Sequence, residues 1–122
     1  MSRKRKSRRV QYLPELVLVK IMNNDFLRTL VHAVYSAKLP VSAGEIAKEV
    51  SRLLRSNYSP SYVSVYLKRL EKWGAVRAYR DPTNGHLLWW RSDKRVAQLI
   101  EQELSKHELR KVIELAENLQ TT

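Results

Sequence analysis

The 122-residue chain carries 23 lysines and arginines against 12 aspartates and glutamates, a formal net charge of +11, and it has no cysteine. Its 43% hydrophobic content supplies a globular core and excludes a wholly disordered chain, and the missing cysteines exclude disulfides, thiolate metal sites and cysteine nucleophiles. No apolar run approaches the roughly 18 to 20 residues that span a bilayer, and the charge excess favours a polyanionic partner: nucleic acid, an anionic membrane surface or an acidic protein.

Residues 1–9 hold six basic side chains (Arg3, Lys4, Arg5, Lys6, Arg8 and Arg9), no acidic ones, and almost nothing to bury. Residues 1–12 are expected to be a disordered basic arm that lies along phosphates or enters a minor groove. A solubilising tail or a nuclear localisation signal has the same composition. Pro14, Glu15 and Lys20 interrupt the apolar stretch at 16–19, which is too short for a secretory leader. The expectation is a soluble, cytoplasmic protein.

Pro14 and the apolar residues behind it predict a short helix over 14–22, with a strand as the alternative because several are β-branched. Asn23, Asn24 and Asp25 break the chain and offer an N-cap. Phe26, Leu27, Leu30, Val31, Val34 and Tyr35 then lie on one face of a helix over 25–38, with His32 beside them. Pro40 stops it. Ser42 and Glu45 form a capping box for the next helix, whose stripe is Ile46, Ala47, Val50, Leu53 and Leu54. Residues 56–59 form a turn, and a third helix runs from Pro60 to about Trp73, where Gly74 provides a left-handed stop. Val63, Leu67 and Leu70 share its inner face. At 100° per residue Ser61, Val65, Lys68 and Lys72 lie opposite, with Tyr62 and Arg69 at one flank.

The period then changes. Strands are predicted at 75–80 and 86–91, joined by the turn Asp81-Pro82-Thr83-Asn84-Gly85. The hairpin is rich in arginine and aromatics, and Trp89 and Trp90 point to opposite faces, one into the core. Residues 93–119 return to helical patterning, with stripes Val96, Leu99, Ile100, Leu104 and Leu109, Val112, Ile113, Ala116, Leu119. Ser105 and Glu108 repeat the capping-box pattern and predict a break near 105.

Charge follows this division. Residues 48–95 hold eleven basic and four acidic side chains, whereas residues 96–122 hold three basic and five acidic. The positive charge therefore sits in the arm and around the third helix and hairpin, and the C-terminal segment is better suited to packing against protein.

The fold class expected is mainly α with a small β-hairpin: a winged helix-turn-helix over 13–92, with Leu30, Ile46, Val50, Val63, Leu67, Leu70 and Val76 in one core, and a C-terminal helical extension over 93–122. Ser42-Ala43-Gly44-Glu45-Ile46-Ala47-Lys48-Glu49-Val50 resembles the second helix of prokaryotic regulators. Ser59-Pro60-Ser61-Tyr62-Val63-Ser64-Val65-Tyr66-Leu67-Lys68-Arg69-Leu70-Glu71-Lys72-Trp73-Gly74-Ala75-Val76 resembles their recognition helix and its exit into the wing. Over about residues 16–92 the pattern resembles winged-helix transcriptional regulators of the ArsR and MarR type, and the high charge without cysteine is in keeping with an archaeal or thermophilic source. The Leu-x-x-Leu-x-x-x-Gly-x-Val ending marks the fold rather than the subfamily.

The resemblance implies that Ser59, Ser61, Tyr62, Ser64, Val65 and Arg69 approach double-stranded DNA, with Val65 touching a thymine methyl and Lys68, Arg69 and Lys72 adding phosphate contacts. Arg77, Arg80 and Arg91 are the expected wing contacts. The C-terminal stripes, from Val96 to Leu119, are expected to form a homodimer, with folding back on the domain as the alternative. His32, His86 and His107 are far apart in sequence, so neither a metal nor another cofactor is expected. Glu45, Glu49 and Glu71 lack matched acid-base partners and no phosphate-cradling glycine loop exists, so no catalysis is expected. The expected function is transcriptional regulation by a sequence-reading dimer. The alternatives are a nucleoid-type protein that coats DNA with little sequence preference, and a winged-helix adaptor for an acidic protein.

Overall fold

The computed structural model describes residues 13–120, and its elements start and stop where local chemistry dictates. Helix α1 (Pro14–Met22) has proline in its first turn. At α2 (Asp25–Ser36) the Asn24 side chain accepts the Leu27 N–H at 3.0 Å. At α3 (Ala43–Leu54) Ser42 and Glu45 close the capping box reciprocally, and at α4 (Pro60–Lys72) Ser59 accepts the Tyr62 N–H at 3.1 Å. Arg55 (φ 53°) ends α3 in the left-handed region, and Gly74 (φ 83°) does so just after α4, where the Ala75 N–H reaches the Leu70 carbonyl at 2.9 Å.

Strands β1 (Val41–Ser42), β2 (Val76–Arg80) and β3 (Leu87–Arg91) make an antiparallel sheet in the order β1-β3-β2. Trp89 is its centre: it pairs with Val41 on one side and Ala78 on the other, and is 2% exposed. The hairpin β2–β3 follows from the sequence pattern. The two-residue β1 does not, because it is too short to show alternation and exists only through its pairing with β3.

The core is one cluster, and it buries all seven residues expected there: Leu30, Ile46, Val50, Val63, Leu67, Leu70 and Val76. It also takes in parts of the first and the last helix. Val17 and Ile21 of α1 lie in it with Val96, Ala97 and Ile100 of α5 (Arg95–Gln120). This corrects the division expected at residue 93. Val96 and Ile100, expected at a dimer interface, are 3% and 0% exposed within their own domain, and Leu99 and Leu104 are half-buried. The apolar face of α1 needs a cover, and the first turns of α5 provide it.

The expected break near 105 does not occur, since α5 is one helix of 26 residues. It contains neither glycine nor proline, so Ser105 and Glu108 are carried along in its interior.

The exit from α4 is fastened to the rest of the fold by two hydroxyls. Tyr35 of α2 donates to the Ala75 carbonyl at 2.6 Å, and Ser92 donates to the Gly74 carbonyl. Burial, and then the Glu101 carboxylate, push the Tyr35 phenol well above its ordinary value of 10.0, with Arg91 opposing. The folded protein therefore keeps this proton at pH values where the unfolded chain loses it. Tyr35 contributes fully below pH 10.0 and progressively less as pH rises beyond it.

Tyr35→Phe should lower stability near neutral pH by roughly 1–2 kcal/mol, because it leaves the Ala75 carbonyl only the longer bond from the Ser92 N–H at 3.4 Å. It should also make the loss of stability above pH 10.0 shallower than in the parent, as read by denaturant unfolding on either side of that pH. Glycine substitutions should differ in sign. At Gly74 the φ of 83° and a new Cβ only 3.1 Å from the Lys94 side chain predict a loss of about 1 kcal/mol or more for alanine. Gly44, helical and with only Ser42 Oγ at 3.8 Å, should gain roughly 0.5 kcal/mol from alanine in thermal melts.

Candidate nucleic-acid interface

Helix α4 buries Val63, Leu67 and Leu70 and turns its other side outward. Ser61, Val65, Lys68 and Lys72 lie on that exposed strip. Lys68 and Lys72 make no ion pair with another described residue. Arg69 and Tyr62 border the strip on one side, and the half-buried Ser64 on the other. Ser59 is exposed at the head of the helix, where its hydroxyl oxygen serves as the cap. Glu71 is the one acidic residue of the helix, and it lies towards the Ser64 side.

The Tyr62 side of the strip is a run of contacting rings that helical periodicity alone did not reveal. Tyr58 and Tyr62 stack at 5.6 Å with 20° between planes, and Tyr62 meets Tyr66 at 5.2 Å. The Arg69 guanidinium lies over Tyr66 at 5.2 Å, and Phe26 of α2 backs all three tyrosines at 4.9 to 5.5 Å. Spacings of four and three residues place Tyr62, Tyr66 and Arg69 on one line along α4. That spacing was visible in sequence, but Phe26 and Tyr58 join only through the packing of α2 and of the turn before α4. A hydrogen bond with Tyr66 raises the Tyr62 phenol above its ordinary value.

The hairpin arginines separate by sheet face. Arg80, beside the tip, donates to the Gly85 carbonyl at 2.7 Å. The tip itself is held by Asp81, which accepts the Thr83 N–H and hydroxyl at 2.9 and 2.7 Å and whose pKa these bonds lower. Arg77 lies on the outer face, over the Tyr79 ring at 4.9 Å and 3.4 Å from Asp93. Arg91 departs from the expected grouping. Strand alternation puts it on the same face as Trp89, where it approaches the Tyr35 carbonyl at 3.5 Å and Glu101 at 3.7 Å, with the Trp90 ring 4.6 Å away. It is thus tied to α2 and α5; Arg80 shares its sheet face but stands exposed beside the tip, and Arg77 is the arginine of the opposite face.

Beyond Leu104, α5 leaves the core. Val112, Ile113, Ala116 and Leu119 are exposed, as are Leu13, Leu16 and Val19 near the start of the described chain. Arg3, Lys4, Arg5, Lys6, Arg8 and Arg9 lie outside the described residues, as does the side chain of Leu109.

Among the described residues no group of three histidines or carboxylates is placed to hold a metal ion, and no helix is long and apolar enough to cross a membrane. No protein-family model matches the chain, and no curated protein matches it.

Proposed function

We propose that the chain is a double-stranded DNA-binding protein of the winged helix-turn-helix type, regulating transcription as a dimer and catalysing no reaction. In this reading α3 and α4 are the helix-turn-helix, α4 enters the major groove, and β2–β3 is the wing on the flanking backbone. The observation that carries it is the outward strip of α4. Ser61, Val65, Lys68 and Lys72 are exposed, Arg69 borders them, and no carboxylate interrupts the strip. A helix presenting hydroxyl and apolar groups at its start and cations in later turns suits a groove read near its floor and phosphates at its rim.

The dimer rests on the distal half of α5. Val112, Ile113 and Ala116 are exposed on a helix whose first turns are already committed to the core. A second copy is the cover proposed, and a two-fold pair would set the two α4 helices about 34 Å apart, matching successive major grooves. The six cations among residues 1–9 favour, as a second reading, a protein that coats DNA with little sequence preference.

Binding to a random-sequence duplex should weaken steeply as salt rises. Replacing Lys68, Arg69 and Lys72 together by alanine should flatten the log–log slope by about 0.9 for each phosphate no longer neutralised. Absence of binding by the full chain at low salt would overturn the proposal. Selection from a random pool then separates the two readings: one enriched sequence supports a regulator, and none supports a coating protein. Ile113→Glu should convert a dimer to a monomer in sedimentation equilibrium with helical content retained, since the residue is exposed.

A further inference from the structure

We infer, resting on the DNA-binding reading above, that α4 recognises thymine through its C5-methyl group, with Tyr62 and Val65 as the specificity-determining residues and Phe26, Tyr58 and Tyr66 as positioning residues that hold the Tyr62 ring.

The residues available leave little other base-reading chemistry. Direct readout in the major groove relies mainly on arginine, lysine, asparagine and glutamine forks, and on apolar contact with the thymine methyl. Helix α4 contains no asparagine and no glutamine. Its one arginine, Arg69, lies over the Tyr66 ring at 5.2 Å. Lys68 and Lys72 stand in later turns, whereas recognition helices touch base edges with their first turns. At the start of α4 the exposed side chains are Pro60, Ser61, Tyr62 and Val65. Tyr62 is 45% and Val65 57% exposed, and these two large groups lie about 4.5 Å apart along the axis and about 60° apart around it, on the same side of the helix. A serine hydroxyl can bond to any base or to phosphate. A fixed apolar pair matches one feature of the groove, the methyl group that thymine alone carries among the four bases.

The packing around Tyr62 strengthens the assignment. Its ring is contacted by Tyr58 at 5.6 Å, Phe26 at 5.5 Å and Tyr66 at 5.2 Å. A side chain already held in place loses little conformational freedom on binding. Such restraint suits recognition of a small, rigid target and serves no purpose in a side chain that only contacts solvent.

The test compares alternating dA-dT and dA-dU duplexes, which differ only in the methyl group, by fluorescence anisotropy. The parent should bind the uracil duplex about fourfold more weakly for each methyl it contacts, the effect of burying one such apolar group. Tyr62→Ser and Val65→Ser should move that ratio towards one and leave the salt slope on a random duplex unchanged. Phe26→Leu should also lower the ratio, although Tyr62 is intact; an unchanged ratio would remove the positioning role. Equal affinity of the parent for the two duplexes, with salt-dependent binding to both, would overturn thymine recognition alone. No binding to either at low salt would overturn the DNA reading, and this inference with it.

Discussion

The direction of α4 is decided where the helix ends. Gly74 turns the chain through the left-handed region, and the two carbonyls exposed by that turn, of Gly74 and Ala75, are each taken by a hydroxyl from another element. Tyr35 reaches in from α2 and Ser92 from the segment after β3. Without these donors, the Gly74 carbonyl would lose its bond to water and lack this replacement, and the Ala75 carbonyl would keep only the longer bond from the Ser92 N–H. With them, α2, α4 and the hairpin are referred to one point. Trp89, buried at the centre of the sheet, joins the hairpin to β1. The outward strip of α4 and the hairpin arginines thus occupy fixed places relative to one another.

What the sequence made legible was local. Ser42 with Glu45, Pro60, Gly74 and the Asp81–Gly85 turn each encode their structure within a few residues, and each is used accordingly. The inner face of α4 was also legible, because three buried residues in a 13-residue helix fix its rotation. What remained hidden depended on partners distant in the chain. Val96 and Ile100 have the spacing of any amphipathic helix, and nothing in that spacing says whether the cover comes from the same chain or another. Here it is the domain's own core, including α1. Ser105 and Glu108 have the residue types of a helix start, but a cap needs an interruption, and no glycine or proline supplies one. Arg91 was grouped with Arg77 and Arg80 by composition; alternation puts both Arg80 and Arg91 on the Trp89 face, but only Arg91 lies at the end of the hairpin where Tyr35 and Glu101 meet it.

The candidate site shows the same division. The exposed residues of α4 were readable from helical periodicity, whereas the ring assembly beside them brings together Phe26, Tyr58, Tyr62 and Tyr66 from two helices and a turn. Tyr58 is placed by Ser51, whose hydroxyl accepts the Tyr58 N–H at 2.9 Å. A side-chain bond seven residues long in sequence thereby orders the turn between α3 and α4 and sets the first ring of the stack. The loop is not a passive joint, since its conformation determines what the start of α4 presents.

The unbroken helix α5 sets an angular phase as well as a length. Its 26 residues extend about 39 Å at 1.5 Å per residue. The face gripped by the core, around Ala97, Ile100 and Leu104, and the exposed apolar face around Val112, Ile113 and Ala116 are separated by about 135° of rotation at 100° per residue. The helix behaves as a keyed shaft: the domain fixes its rotation at one end, and whatever engages the other end inherits that setting. Adding or removing one residue between the two faces would turn the distal face by about 100° without disturbing the core, so the intervening length specifies an orientation even where the side chains themselves touch nothing.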